Sequence, residues 1–93
     1  MDRHQNIQFI IENIFPEKGN LHQRLNKILD QFSDKELIFA TRVIVLKRTG
    51  KMGAKDLKSL NRILEKYGGR IDINVQLIND NELLLTEEFV FLS

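Results

Sequence analysis

Ile7, Ile10, Ile11 and Ile14 repeat at the spacing that lines up apolar side chains along one side of a helix. The pattern stops at Pro16, whose ring disfavours helical backbone in the residue before it, so a first helix is predicted over about residues 3–14. Pro16-Glu17-Lys18-Gly19 reads as a turn. Asn20 then offers a side-chain oxygen to the free amides of a second helix over about residues 20–32, which carries Leu21, Leu25, Ile28, Leu29 and Phe32. Ser33-Asp34-Lys35-Glu36 has the form of a capping box, in which the Ser oxygen and the Glu carboxylate each satisfy a backbone donor, and it predicts a third helix over about 34–48. The β-branched run Val43-Ile44-Val45 suits a strand, but the capping box decides for helix. Apolar residues fall around most of this segment, so it is expected to be the most buried helix. Gly50 and Gly53 interrupt it, and a fourth helix over about 53–67 runs to Gly68-Gly69, a pair suited to a left-handed C-terminal cap.

After Arg70 the period drops from about 3.6 to about 2. Ile71, Ile73, Val75 and Leu77 alternate with Asp72, Asn74 and Gln76, Asn79-Asp80-Asn81-Glu82 supplies turn chemistry, and Leu83 to Leu92 reads as a second strand. The expectation is an α+β fold in one domain, residues 1–93: four helices, then an antiparallel hairpin of strands about 70–79 and 83–92. Helix, short turn, helix and hairpin is also the order of a winged helix, in which the second helix of a helix-turn-helix pair enters the major groove.

Charge changes the picture in the fourth helix. Lys51, Lys55, Lys58, Arg62 and Lys66 recur at steps of four, three, four and four, which draws one cationic stripe, with Leu57, Leu60, Leu64 and Tyr67 roughly opposite and Ile63 on the flank. Arg42 to Arg70 holds nine Lys or Arg against two acids, Asp56 and Glu65, whereas Ile71 onward holds five acids and no base. A net charge of +1 therefore conceals a strong internal dipole. Such a stripe is either a solvated face or a row of phosphate contacts, and the further bases around it favour an anionic partner.

Gly50-Lys51-Met52-Gly53 places amides at a helix start, a physically sensible position for a phosphate. It resembles the GxxG loop of KH domains, a helix–GxxG–helix–strand element that clamps four nucleotides, and Gly69-Arg70-Ile71-Asp72-Ile73 looks like the strand start that follows in that family. The resemblance covers about residues 38–75. It departs from the family in a fourth helix about one turn longer and in the lack of a strand before the third helix. A plain helix–helix turn is the other reading of the same four residues.

With 42% apolar and 29% charged residues the chain has the composition of a folded domain. Zero cysteines exclude a disulfide framework and a cysteine-ligated metal or cluster, and they fit a reducing, cytoplasmic setting. The first residues lack the pattern of a signal peptide, and no apolar run approaches the roughly 18 residues that span a bilayer, so no membrane association is expected. Catalysis, a metal and a cofactor are not expected either. His4 and His22 lie on different elements with no acid at ligand spacing, Ser33 is taken by its cap, and Ser59 has no base partner in view.

The functional expectation is a small non-enzymatic regulator that binds nucleic acid, DNA in preference to RNA, through Lys47, Arg48, Lys51, Lys55, Lys58, Ser59, Arg62 and Lys66. Arg62 and Asn61 are the two side chains suited to base edges. The alternative is a protein-binding inhibitor or adaptor, of the kind phages and mobile elements encode, gripping an acidic protein surface through the helix or a partner through the hairpin. The last strand is more apolar than one buried face requires. Phe89 and Phe91 belong either to the core or to an interface, including one between two copies of the chain.

Overall fold

Four helices and a hairpin follow one another in the expected order in the computed structural model, which describes residues 2–15 and 19–92. They are α1 (Arg3–Ile14), α2 (Asn20–Asp30), α3 (Asp34–Arg48), α4 (Ala54–Lys66), β1 (Gly69–Asn79) and β2 (Glu82–Phe91). The turn expected at Pro16-Glu17-Lys18-Gly19 falls on residues 16–18, outside the described residues, and only its Gly19 is seen.

α1 opens on a capping box that the apolar pattern does not reveal. The Asp2 carboxylate accepts the Gln5 amide at 2.8 Å, and the Gln5 side chain accepts the Asp2 amide at 3.0 Å. The cap expected from Asn20 is corrected: Gly19 holds the N-cap position, Asn20 is the first helical residue, and no side chain caps α2. α2 also closes earlier than expected, because the Gln31 and Phe32 amides reach back three residues, to the carbonyls of Ile28 and Leu29 at 3.1 Å each, which tightens the last turn.

Ser33 caps α3 as predicted. Its hydroxyl accepts the Glu36 amide at 3.1 Å, and the Glu36 carboxylate accepts the Ser33 amide at 2.9 Å. The β-branched run is helical. α3 buries Leu37, Ala40, Val43 and Ile44 between its neighbours, but Ile38 and Val45 stay 56% and 44% exposed, so burial covers one side rather than most of its circumference. α4 buries Leu60 and Leu64, with Leu57 and Ile63 half-buried beside them, and turns its cations outward.

Gly68 has φ +95°, the left-handed conformation that ends the helix, and its carbonyl accepts the Leu92 amide at 2.8 Å. Gly69 is required for another reason: a Cβ there would collide with the Phe89 ring. Phe89 packs edge-on to Phe15 and Phe91, with centroids 5.8 and 4.9 Å away, and with Ile71 it joins the core built by α1 to α4.

β1 and β2 pair with Ile71 opposite Phe89, Val75 opposite Leu85 and Leu77 opposite Leu83; a bulge at Ile78 precedes the Asp80-Asn81 turn. The Asn81 amide donates to the Asn79 side-chain oxygen at 2.9 Å within that turn. From Ile73 to Glu88 every hairpin residue is exposed, so the hairpin runs past the core in a molecule measuring 45 × 27 × 22 Å. Among the described residues no helix is long and apolar enough to cross a membrane.

Candidate nucleic-acid interface

The outward side of α4 carries Lys55, Lys58, Ser59 and Arg62, and Lys51 stands in the loop just before it; all five are exposed. Lys55 and Arg62 are about 10 Å apart along the helix axis, the length of two turns. Among the described residues no ion pair engages Lys51, Lys55, Lys58 or Arg62. The acid nearest to them in sequence, Asp56, turns back and accepts the Gly53 amide at 2.9 Å. These four cations therefore form a row outside any direct ion pair among the described residues, with Asp56 and Glu65 the two acids on α4.

The other predicted contacts are held elsewhere. Lys66 pairs with Glu36 at 2.5 Å, and the Tyr67 hydroxyl donates to the same carboxylate at 2.9 Å. The Lys66 hydrogen bond is the main reason the Glu36 carboxyl is held at about 2, with the Ser33 amide adding to it and partial burial opposing it. The same contact raises Lys66 above the ordinary ammonium value. Lys47 pairs with Glu87 at 2.6 Å and donates to the Asn13 carbonyl at 3.3 Å, which ties α3 to β2 and α1. Arg48 stands over the Phe9 ring, 5.8 Å from its centroid. Lys47, Arg48 and Lys66 thus brace the fold at the margins of the row.

Asn61 is withdrawn from base reading by a contact that sequence reasoning missed. Its amide nitrogen donates to the Ile71 carbonyl at 2.8 Å, and its oxygen accepts the Ile71 amide at 2.7 Å. The side chain completes the outer edge of β1 as a neighbouring strand would, and so fixes α4 against the hairpin. No periodicity signals this, since an Asn in a polar helix position has the same pattern whether it faces solvent or a strand edge.

The GxxG loop is a helix–helix turn in its bonding. Gly50, at φ +72°, closes α3: its amide donates to the Lys47 carbonyl at 3.1 Å and the Lys51 amide donates to the Leu46 carbonyl at 2.8 Å. Gly53 gives its amide to Asp56. Three of the four loop amides are therefore spent within the chain, and a carboxylate occupies the helix start where a phosphate would sit.

A groove of about 460 Å³ runs between α4 and β1, floored by Ala54, Leu57 and Ile73 and edged by Lys58, Arg62 and Glu65. It borders the cationic row on the hairpin side. The hairpin turn contributes Asp80 and Glu82, acids that a phosphate backbone repels, so the row and not the turn is the anion-facing feature. His22 contacts the Phe15 carbonyl at 2.6 Å, far from His4 in role and setting, and Phe89 is buried while Phe91 is half-buried under Arg24. Compared with protein-family models, with curated proteins and with solved structures, the chain matches none.

Proposed function

We propose that the chain is a small, non-enzymatic nucleic-acid-binding protein of the cytoplasm that lays the exposed side of α4 along a phosphate backbone. The observation that carries this reading is alignment. Lys55, Lys58 and Arg62 lie along the outward side of one helix with Lys51 just before it, and none of the four has a carboxylate partner among the described residues. The other bases unpaired among the described residues, Arg24, Lys27, Lys35, Arg42 and Arg48, are spread over α2 and α3. Each phosphate such a row neutralises releases counterion, so binding is driven by salt-sensitive entropy and is weakly dependent on sequence. Arg62 is the remaining side chain able to read a guanine edge, and a helix docked in the major groove favours DNA over RNA.

Anisotropy titration with random duplex and single-stranded oligonucleotides at about 50 mM salt tests the reading. Micromolar binding that prefers duplex and weakens steeply with salt supports it; no binding to either probe ends it. One observation favours a second reading, an inhibitor or adaptor that grips a protein: the apolar residues left bare on the hairpin. That reading predicts a salt-insensitive association with a protein and none with nucleic acid.

A further inference from the structure

Residues opposite one another in an antiparallel pair share a face, so the register places Ile73, Val75, Leu77, Leu83 and Leu85 on one side of the hairpin. One step nearer the core the same side carries Ile71 and Phe89, both buried under the helices. The helices stop there. Val75, Leu77, Leu83 and Leu85 are each 60–66% exposed and Ile73 43%. Among the described residues the one charged side chain on this side is Glu87, opposite Ile73, and Lys47 neutralises it. The bare apolar face is on the order of 500 Å², near the top of what a monomer leaves in water. An isolated two-stranded hairpin is marginal in water, so this length of sheet gains most from being covered.

We infer that the cover is the same face of a second copy of this chain, hairpin on hairpin, around a two-fold axis crossing the strands between the Val75–Leu85 and Leu77–Leu83 pairs. An apolar, two-strand-wide surface whose one acid is already paired is matched by its own copy, and two sheet faces stack about 10 Å apart with their side chains interleaved. Together the two faces bury about 1,000 Å², the threshold for a specific interface. Charge favours one direction. Asp80 and Glu82 make the hairpin turn acidic, and antiparallel stacking carries that turn toward the helical end of the other copy, where Arg48 at the close of α3 has no carboxylate partner among the described residues. Parallel stacking would instead bring the two acidic turns together. α4 sits at the outer edge of β1, held there by Asn61, so its cations lie beside the stacked faces and not between them.

The chain has no cysteine, so single cysteines report cleanly. Leu85→Cys lies on the bare face near the axis and Thr86→Cys on the opposite face. Under mild oxidation Leu85→Cys is expected to form a disulfide-linked dimer at least about tenfold faster than Thr86→Cys. Sedimentation equilibrium of the unaltered chain is expected to show a monomer–dimer equilibrium, and Leu77→Glu to weaken it by about tenfold or more. At concentrations low enough for both proteins to be monomeric, the variant should keep the melting temperature of the unaltered chain, since Leu77 is exposed within the protomer. A strictly monomeric chain up to about 200 µM, or equal cross-linking of both cysteine variants, overturns the inference. If Leu77→Glu fails to fold, the cysteine pair decides alone.

Discussion

Glu36 accepts hydrogen bonds from the Ser33 amide, the Lys66 ammonium and the Tyr67 hydroxyl, so one carboxylate joins the start of α3 to the end of α4. Its pKa is lowered from 4.5 to about 2, which means that the unfolded chain takes up the proton first as the pH falls. The stability this contributes is complete above about pH 5 and disappears progressively toward about pH 2. NMR titration of the Glu36 side-chain carbon should give a midpoint near 2 in the unaltered chain and a clearly higher one in Lys66→Gln; equal midpoints would show that Lys66 is not its partner. Ser33→Ala should cost about 1 kcal/mol through removal of the cap, read as a lower thermal midpoint. The Ser33 cap was legible in the sequence because its two partners are three residues apart. The pairs Lys66–Glu36, Lys47–Glu87 and Asn61–Ile71 were not, because each joins distant parts of the chain and depends on how whole elements pack.

Helix and strand positions followed from periodicity and stop signals, and the errors lie where tertiary packing overrides local pattern. Ile38 and Val45 look like core residues in the sequence, yet α1 and α4 cover only part of α3 and leave both in water. Phe89 and Phe91 read equally well as core or interface, and the register assigns Phe89 to the core through its opposition to Ile71. Phe89→Ala should therefore destabilise the fold by about 3 kcal/mol, while Glu88→Ala, on an exposed residue, should change it by less than about 0.5 kcal/mol. Equal thermal midpoints for the two variants would contradict that assignment. The cationic stripe of α4 was visible from spacing alone. Which of its members are free was not, since that depends on where distant acids fall.

At the scale of the molecule, the bases cluster from Arg42 to Arg70 and the acids from Ile71 onward, and folding turns this into two surfaces: the row on α4 and the projecting acidic turn of the hairpin. A dipole of this kind steers an anion toward α4 and away from the turn, an effect that added salt weakens by screening it beyond about a Debye length. The most direct measurement is the salt dependence of duplex binding by the unaltered chain and by Lys55→Gln/Lys58→Gln/Arg62→Gln, in which helix propensity is nearly unchanged and the three exposed side chains support no buried contact. With both proteins melting at the same temperature, the variant should bind more weakly at about 50 mM salt, and its slope of log K against log salt should be shallower by about 0.9 for each phosphate it no longer neutralises. The same affinity and slope in both proteins would contradict the assignment of α4 as the nucleic-acid-binding face.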